Sequence, residues 1–228
     1  VDRLTTLAFD ADDTLWHNET FFQLTQERFV ELLSPHNDAE DLQARLLETE
    51  KRNIGRYGFG VKGFTLSMIE TALEVTNGQV PGAVIQEILA NGRDLLAHPV
   101  ELLPGVKETL TEVSEQHRLT LVTKGDLLHQ EEKLAASGLG DLFSDVHIVS
   151  QKEPATYRRI FETPDRVMMV GNSMKSDILP VLEVGGWATF VPFHIEWELE
   201  RADTPNNHPR FRQISTIREL PDLLRGSA

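Results

Sequence analysis

Leu4–Thr14 reads LTTLAFDADDT, and the fold turns on how that stretch is read: a short apolar run breaks off at Asp10 into three carboxylates within four residues. A run of that length, bounded by polar positions, predicts a buried strand whose carboxyl end carries charge. Four further runs share its character: Arg118–Thr123 (RLTLVT), Asp145–Val149 (DVHIV), Arg166–Val170 (RVMMV) and Ala188–Val191 (ATFV). Helical patterns separate them. Val106–Gln116 follows the Pro104-Gly105 breaker, Leu127–Ser137 stops before Gly138, Thr156–Phe161 follows Pro154, and Ser176–Val184 ends at Gly185-Gly186. From residue 106 onward strand and helix alternate. That order predicts an α/β fold, a doubly wound parallel sheet with right-handed crossovers.

Between roughly Glu19 and Ala97 the alternation stops and the chain reads as helices. Phe22, Phe29 and Leu33 share one face, Leu66, Ile69 and Leu73 a second, and Val84, Ile85, Ile88 and Leu89 a third. Asn37–Ile54 is a charged helix with Asn37 as its expected cap and Glu40 three residues later. Tyr57–Gly63 (YGFGVKG) interrupts the bundle as a glycine-rich loop. The expected division is therefore 1–18 with 98–228 as an α/β core, and 19–97 as a small inserted helical domain. Arg201–Arg210 reads as a polar loop and Gly226–Ala228 as a frayed end.

At 228 residues the chain is long for one compact unit and short for two. A net charge of -14 disfavours nucleic acid and anionic membranes as partners. The absence of cysteine excludes a disulfide framework, thiolate metal sites and cysteine nucleophiles. Val1-Asp2-Arg3-Leu4 opens no secretory pattern, and no apolar run reaches membrane-spanning length, so a cytoplasmic location is expected. The eight histidines show no metal-ligand spacing.

The polar residues at strand ends carry the chemistry. In an open parallel sheet the ligand crevice lies outside the carboxyl ends of the strands. Asp10 and Asp12 suit a pair in which one carboxylate attacks phosphorus and the other exchanges a proton with leaving group and water; they equally fit an acidic turn capping a helix. Thr123, followed by Lys124-Gly125, offers a hydroxyl and freed backbone N–H groups to an oxyanion, or simply caps the next helix. Lys152, after the DVHIV run, suits neutralisation of a carboxylate and of phosphoryl oxygens. In Gly171-Asn172-Ser173-Met174-Lys175-Ser176-Asp177 an amide and a carboxylate lie on one loop, hard oxygen ligands suited to magnesium.

Taken together these segments resemble the four motifs of the haloacid dehalogenase superfamily. The resemblance runs through Phe9–Trp16, Leu103-Pro104-Gly105-Val106, Lys133-Leu134, Gly138-Leu139, Phe143, Lys152-Glu153-Pro154 and GNSxxSD, in the family's order. It implies a Rossmann-like core with a helical cap inserted after the first motif, the cap closing over the pocket and selecting the leaving group. It also implies a magnesium-dependent phosphatase acting on a small phosphorylated metabolite through a phosphoaspartate. By that resemblance Asp10 is the nucleophile and Asp12 the general acid and base, with its carbonyl on magnesium. Thr123, Lys124 and Gly125 bind the phosphoryl group, Lys152 balances charge, and Asn172 and Asp177 complete the metal site. Lys62, in the glycine-rich loop, is the expected cap contact with substrate. Two departures stand out. Asn172 replaces the family's usual aspartate, and Lys124 stands where asparagine is common, bringing a positive charge towards the substrate. A phosphomutase or other phosphotransferase is the alternative. A haloacid dehalogenase, which the second aspartate argues against, or a non-catalytic binding protein ranks below it.

Overall fold

The computed structural model describes residues 4–205 and 207–226; Val1–Arg3, Asn206 and Ser227–Ala228 lie outside the described residues, and Gly226, the first residue of the expected frayed end Gly226–Ala228, closes a helix. The chain divides into two compact units, Val1–Glu19 with Val100–Lys124 and Gln130–Ala228, and Thr20–Pro99 with Gly125–His129.

The first unit is built on β1 (Thr6–Phe9), β2 (Arg118–Lys124), β3 (Asp145–Val149), β4 (Val167–Gly171), β5 (Trp187–Phe190) and β6 (Phe211–Gln213). All pair in parallel in the order β3-β2-β1-β4-β5-β6. Leu7, Ala8 and Phe9 are fully buried, because a central parallel strand is covered on both faces. Alternation sorts them: Leu7 and Phe9 pack with Leu110, Leu121 and Val170 on one side, and Ala8 packs with Val122, Met169 and Ile178 on the other. Phe9 pairs with Leu121 across β2 and with Val170 across β4, so Asp10, Thr123 and Asn172 emerge from the same end of the sheet. The strand order reverses between β1 and β4, the switch point at which such sheets bind ligands.

Strand and helix boundaries shift by up to three residues from the sequence reading, the expected loop Tyr57–Gly63 shrinking to Gly58–Gly60 between two helices, and two differences go further. Phe211–Gln213 forms a sixth strand that the sequence does not announce: three residues after a proline-containing loop carry too little pattern. The segment read as one helix from Ser176 is a π-helical turn, Met174–Ile178, followed by a short α-helix at Leu179–Glu183.

The second unit packs α1 (Glu19–Leu33), α2 (Ala39–Tyr57), α3 (Val61–Val75) and α4 (Gly82–Leu96) around Phe29, Leu33, Leu42, Leu46, Phe64, Met68 and Ile88. The cap of α2 is Asp38, whose carboxylate accepts from Asp41 N at 2.9 Å, and not Asn37, whose amide instead donates to the Asp41 side chain. A carboxylate is the stronger partner for the positive end of the helix. The face of α3 is also corrected. Val61, Phe64, Met68 and Ala72 are buried, while Leu66 and Leu73 are more than 40% exposed. The helix thus presents the stripe that holds its bulkiest aromatic. No helix among the described residues is long and apolar enough to cross a membrane.

Candidate active site

Asp10 leaves β1 with its main-chain N–H donating to Val170 O at 3.0 Å, so the sheet still orients it. The chain then folds back. Leu15 N donates to Ala11 O at 2.8 Å and Asp13 N to Trp16 O at 2.7 Å. Asp13 takes a left-handed φ of 61°, tolerable for a short polar side chain. Its carboxylate accepts from Asn18 N (2.9 Å) and Glu19 N (3.0 Å) and tightens the turn. Burial pushes Asp13 up to about 7 against those donors.

Lys152 bridges the two deepest carboxylates. Its ammonium donates to Asp10 Oδ1 and, at 2.7 Å, to Asp177 Oδ1. One cation for two buried anions leaves a negative excess. Burial, with the Asp177 charge adding, lifts Asp10 to about 7 despite the opposing pull of Lys152. Burial works to lower Lys152, but its two carboxylates hold it above the ordinary lysine range. Asp177 reaches this position because of the π-helical turn: Ser173 caps it through Ser176 N at 2.9 Å, and Ser173 N donates to Asp177 Oδ2 at 2.9 Å. Such turns recur at functional sites. Gly171 is required here, since a Cβ would lie 2.3 Å from Asp177 Oδ2.

Asp12 is held differently. Its carboxylate accepts from Lys133 Nζ (2.5 Å), Trp16 Nε1 (2.7 Å) and Gln130 Nε2 (3.1 Å). Burial pushes its pKa up, but these donors, Lys133 foremost, hold it below the ordinary carboxylate value. Gln130 also donates to Thr123 Oγ1 at 2.7 Å, joining the ends of β1 and β2.

The Lys124 side chain does not stand as an uncompensated charge. It pairs with Glu200 and donates to Ser176 Oγ at 2.9 Å. Glu200 Oε2 accepts from Ser173 Oγ and Ser176 Oγ, each at 2.5 Å, and Lys175 Nζ donates to Leu199 O at 2.8 Å. The segment around Glu200 therefore straps the π-helical turn. Burial pulls Lys124 below the ordinary lysine range, Glu200 opposing. Burial pushes Glu200 up, yet Lys124 and the two hydroxyls hold it below the ordinary value.

Asp10, Asp12, Thr123, Lys124, Lys152, Asn172 and Asp177 thus belong to one hydrogen-bonded network in the first unit. Gly125 and Lys62 fall in the second. Gly125 has a φ of 141°, a glycine conformation. Lys62 lies in the first turn of α3, its N–H donating to Asp126 Oδ2 at 3.2 Å and its ammonium 3.5 Å from Asp126 Oδ1. Asp13, Trp16 and Lys133 join the site from within the quoted resemblance but with no role assigned there, and Gln130 and Glu200 join it without a sequence signal of their own.

A hard cation fits the Asp10 end of this network. The Asp10 carboxylate, the Asp12 main-chain oxygen and the Thr14 hydroxyl each lie within 3.2 Å of one end of the Asn172 amide. The buried charge there is net negative. No three carboxylates or imidazoles cluster about one point among the described residues, so a cation would rely on two carboxylates with carbonyl and amide oxygens, a set suited to magnesium.

The comparisons agree with this architecture. The family model for haloacid dehalogenase-like hydrolases matches residues 4–185. A haloacid dehalogenase-like family hydrolase from Xanthomonas campestris superposes with a TM-score of 0.88 at 39% identity, covering 98% of this chain and 91% of that one. A glyceraldehyde 3-phosphate phosphatase from Methanothermobacter thermautotrophicus is 26% identical over 95% of this chain and 97% of its own length. An N-acylneuraminate-9-phosphatase from Mus musculus is 32% identical over 54% of this chain and 52% of its own. With a six-stranded parallel sheet that gathers a buried Asp–Lys–Asp cluster at its switch point, the chain belongs to the haloacid dehalogenase-like hydrolases.

Proposed function

We propose that the chain is a magnesium-dependent phosphatase that hydrolyses a small phosphate monoester through a phosphorylated Asp10. The observation that carries this reading is Asp10 itself: a buried carboxylate at the end of the central strand, held by Lys152, with Asp12 two residues away on the same turn. Its relatives named as phosphatases of small phosphorylated compounds support the substrate class. Asp10, the Asp12 carbonyl, Asn172 and Asp177 would hold magnesium. Bound there, the ion would draw charge from the phosphoryl oxygens and orient them.

Asp10 attacks phosphorus and the bond from phosphorus to the ester oxygen breaks, with Asp12 delivering a proton to the leaving alcohol. Water then attacks the phosphoaspartate, Asp12 takes its proton, and inorganic phosphate leaves as Asp10 is regenerated. Lys133, Trp16 and Gln130 hold Asp12 in the ionised state that the second step requires; the first step requires that it gain a proton, which release from Lys133 favours. Lys152 opposes the effect of burial and favours the ionised form of Asp10, while Thr123 and the Lys124-Gly125 turn offer donors to the phosphoryl oxygens. Selection of the leaving group is assigned to the helical unit, with Lys62 as its proposed contact, and a cytoplasmic location is part of the same proposal.

Hydrolysis of an aryl phosphate, with and without magnesium, tests it. Turnover is expected to need magnesium and to stop in excess EDTA, and Asp10→Asn is expected to lose at least about a thousandfold in rate while keeping the circular dichroism of the wild type. Full activity in EDTA would remove the metal, and near-normal turnover by Asp10→Asn would remove the nucleophile. Phosphoryl transfer to an added sugar phosphate in preference to water would make the enzyme a mutase.

A further inference from the structure

The amide of Asn172 sits where its two ends are not equivalent. One terminal position lies 3.1 Å from Asp10 Oδ2, 3.2 Å from the Asp12 main-chain oxygen and 3.2 Å from Thr14 Oγ1. The first two can only accept hydrogen bonds, and the Thr14 hydroxyl has one proton for either Asp10 Oδ2, the nearer at 3.0 Å, or the amide at 3.2 Å. An amide oxygen in that position therefore faces lone pairs. An NH2 group there has two protons for two of the three acceptors, while an oxygen there suits a cation.

We propose that Asn172 is a two-state amide switch. With no cation bound, Nδ2 points inward and donates to Asp10 Oδ2 and to the Asp12 carbonyl; with a cation bound, the amide is turned by half a rotation and presents Oδ1. The inference rests on the reading of this cluster as a cation site. An aspartate, usual for the family, has no donating face. It would set a further anion beside Asp10 and Asp177, with Lys152 alone to balance three charges. Asparagine instead leaves the site internally hydrogen-bonded when empty and binds the ion less tightly when loaded. The consequence is a protein whose folded state does not depend on magnesium and whose loading tracks the magnesium concentration.

Thermal unfolding of wild type and Asn172→Asp, each in EDTA and in millimolar magnesium, separates the two halves. In EDTA the aspartate variant is expected to unfold about 4–8 °C below the wild type, since it loses two hydrogen bonds to buried acceptors and gains repulsion. Magnesium is expected to raise the variant more than the wild type and to close that gap. Equal unfolding temperatures in EDTA would overturn the switch whatever magnesium does. A deficit in EDTA with no magnesium response in either protein would overturn its cation-bound half and the metal reading with it. Should the variant fail to fold, nitrogen-15 spectra of the wild type give the same answer directly. The Asn172 side-chain protons, assigned by selective labelling, are expected to exchange slowly with solvent in EDTA and to shift and exchange faster with magnesium. Fast exchange in both conditions would overturn the proposal.

Discussion

The buried polar groups of the two units are held by different means, ion pairs in the first and mostly single hydrogen bonds in the second. At the strand ends of the first unit Asp10, Asp12, Asp177, Lys152 and Glu200 each meet an oppositely charged partner, and neighbouring donors complete the network. In the second unit Thr25, Ser67, Thr71 and Thr76 donate to carbonyls of their own helices, but Thr20 Oγ1, Thr49 Oγ1 and Asn53 Oδ1 are buried with no hydrogen-bond partner among the described residues, and burial alone pushes Glu50 up to about 7. Paired burial costs desolvation and returns geometry; unpaired burial costs desolvation and returns nothing to the fold. The first unit thus spends its buried polarity on a fixed constellation. The second leaves three buried polar atoms unpaired among the described residues.

Replacing a member of the paired set has the largest effect. On the proposed mechanism Asp12→Asn removes the acid and the base together, and hydrolysis of the proposed phosphoaspartate is expected to slow by roughly a hundred- to ten-thousandfold. An aryl phosphate needs little leaving-group protonation, so phosphorylated Asp10 should accumulate with it, detected by rapid quench, hydroxylamine cleavage and mass spectrometry. Equal slowing of both steps would make Asp12 an organiser of the turn.

Glu200 tests whether the pairing itself matters. Glu200→Ala leaves Lys124 buried without its carboxylate and is expected to lower stability by about 3 kcal/mol. Adding Lys124→Met should restore part of that loss, with a coupling on the order of 1–3 kcal/mol in urea unfolding. Additive losses would show that the strap acts through packing alone.

The smallest effect comes from the unpaired side. Glu50 has a folded pKa near 7 against an ordinary value of 4.5, so the folded chain holds a proton that the unfolded chain has released between those values. Stability therefore falls as pH rises through that window and stays low above it. Glu50→Gln should abolish this slope and raise stability at pH 8 by roughly 1–2 kcal/mol, with no change at pH 4. An unchanged pH profile would mean that Glu50 is solvated after all.

What could be read from the sequence follows from how local the signal is. β1 and β3 are short apolar runs with polar ends, and the motif residues follow those ends directly. β6 was hidden because Phe211–Gln213 is too short to show a period. The exposed Leu66 and Leu73 misled because hydrophobic spacing fits two stripes of α3, and only packing against Phe29, Leu46 and Ile88 chooses between them. Lys133 and Glu200 were invisible as partners: the first meets Asp12 across 121 positions and the second meets Lys124 across 76. No residue type or spacing marks such pairs. The π-helical turn was equally silent, since five residues distinguish it from an α-helix only through the bonds they make.

The order of strands also sets a timetable. β1 is made first, yet it is the middle of the sheet and receives its last neighbour, β4, only after residue 167. Until then one edge of β1 has no parallel partner, and a growing chain on the ribosome exposes that edge and Asp10 with neither Lys152 nor Asp177 in place. Long-range parallel pairing of this kind makes for slow folding and for vulnerable intermediates. Chains that stop short of β4 are therefore expected to be inactive and prone to edge-to-edge pairing, because the site is complete only once β4 and the turn after it are in place.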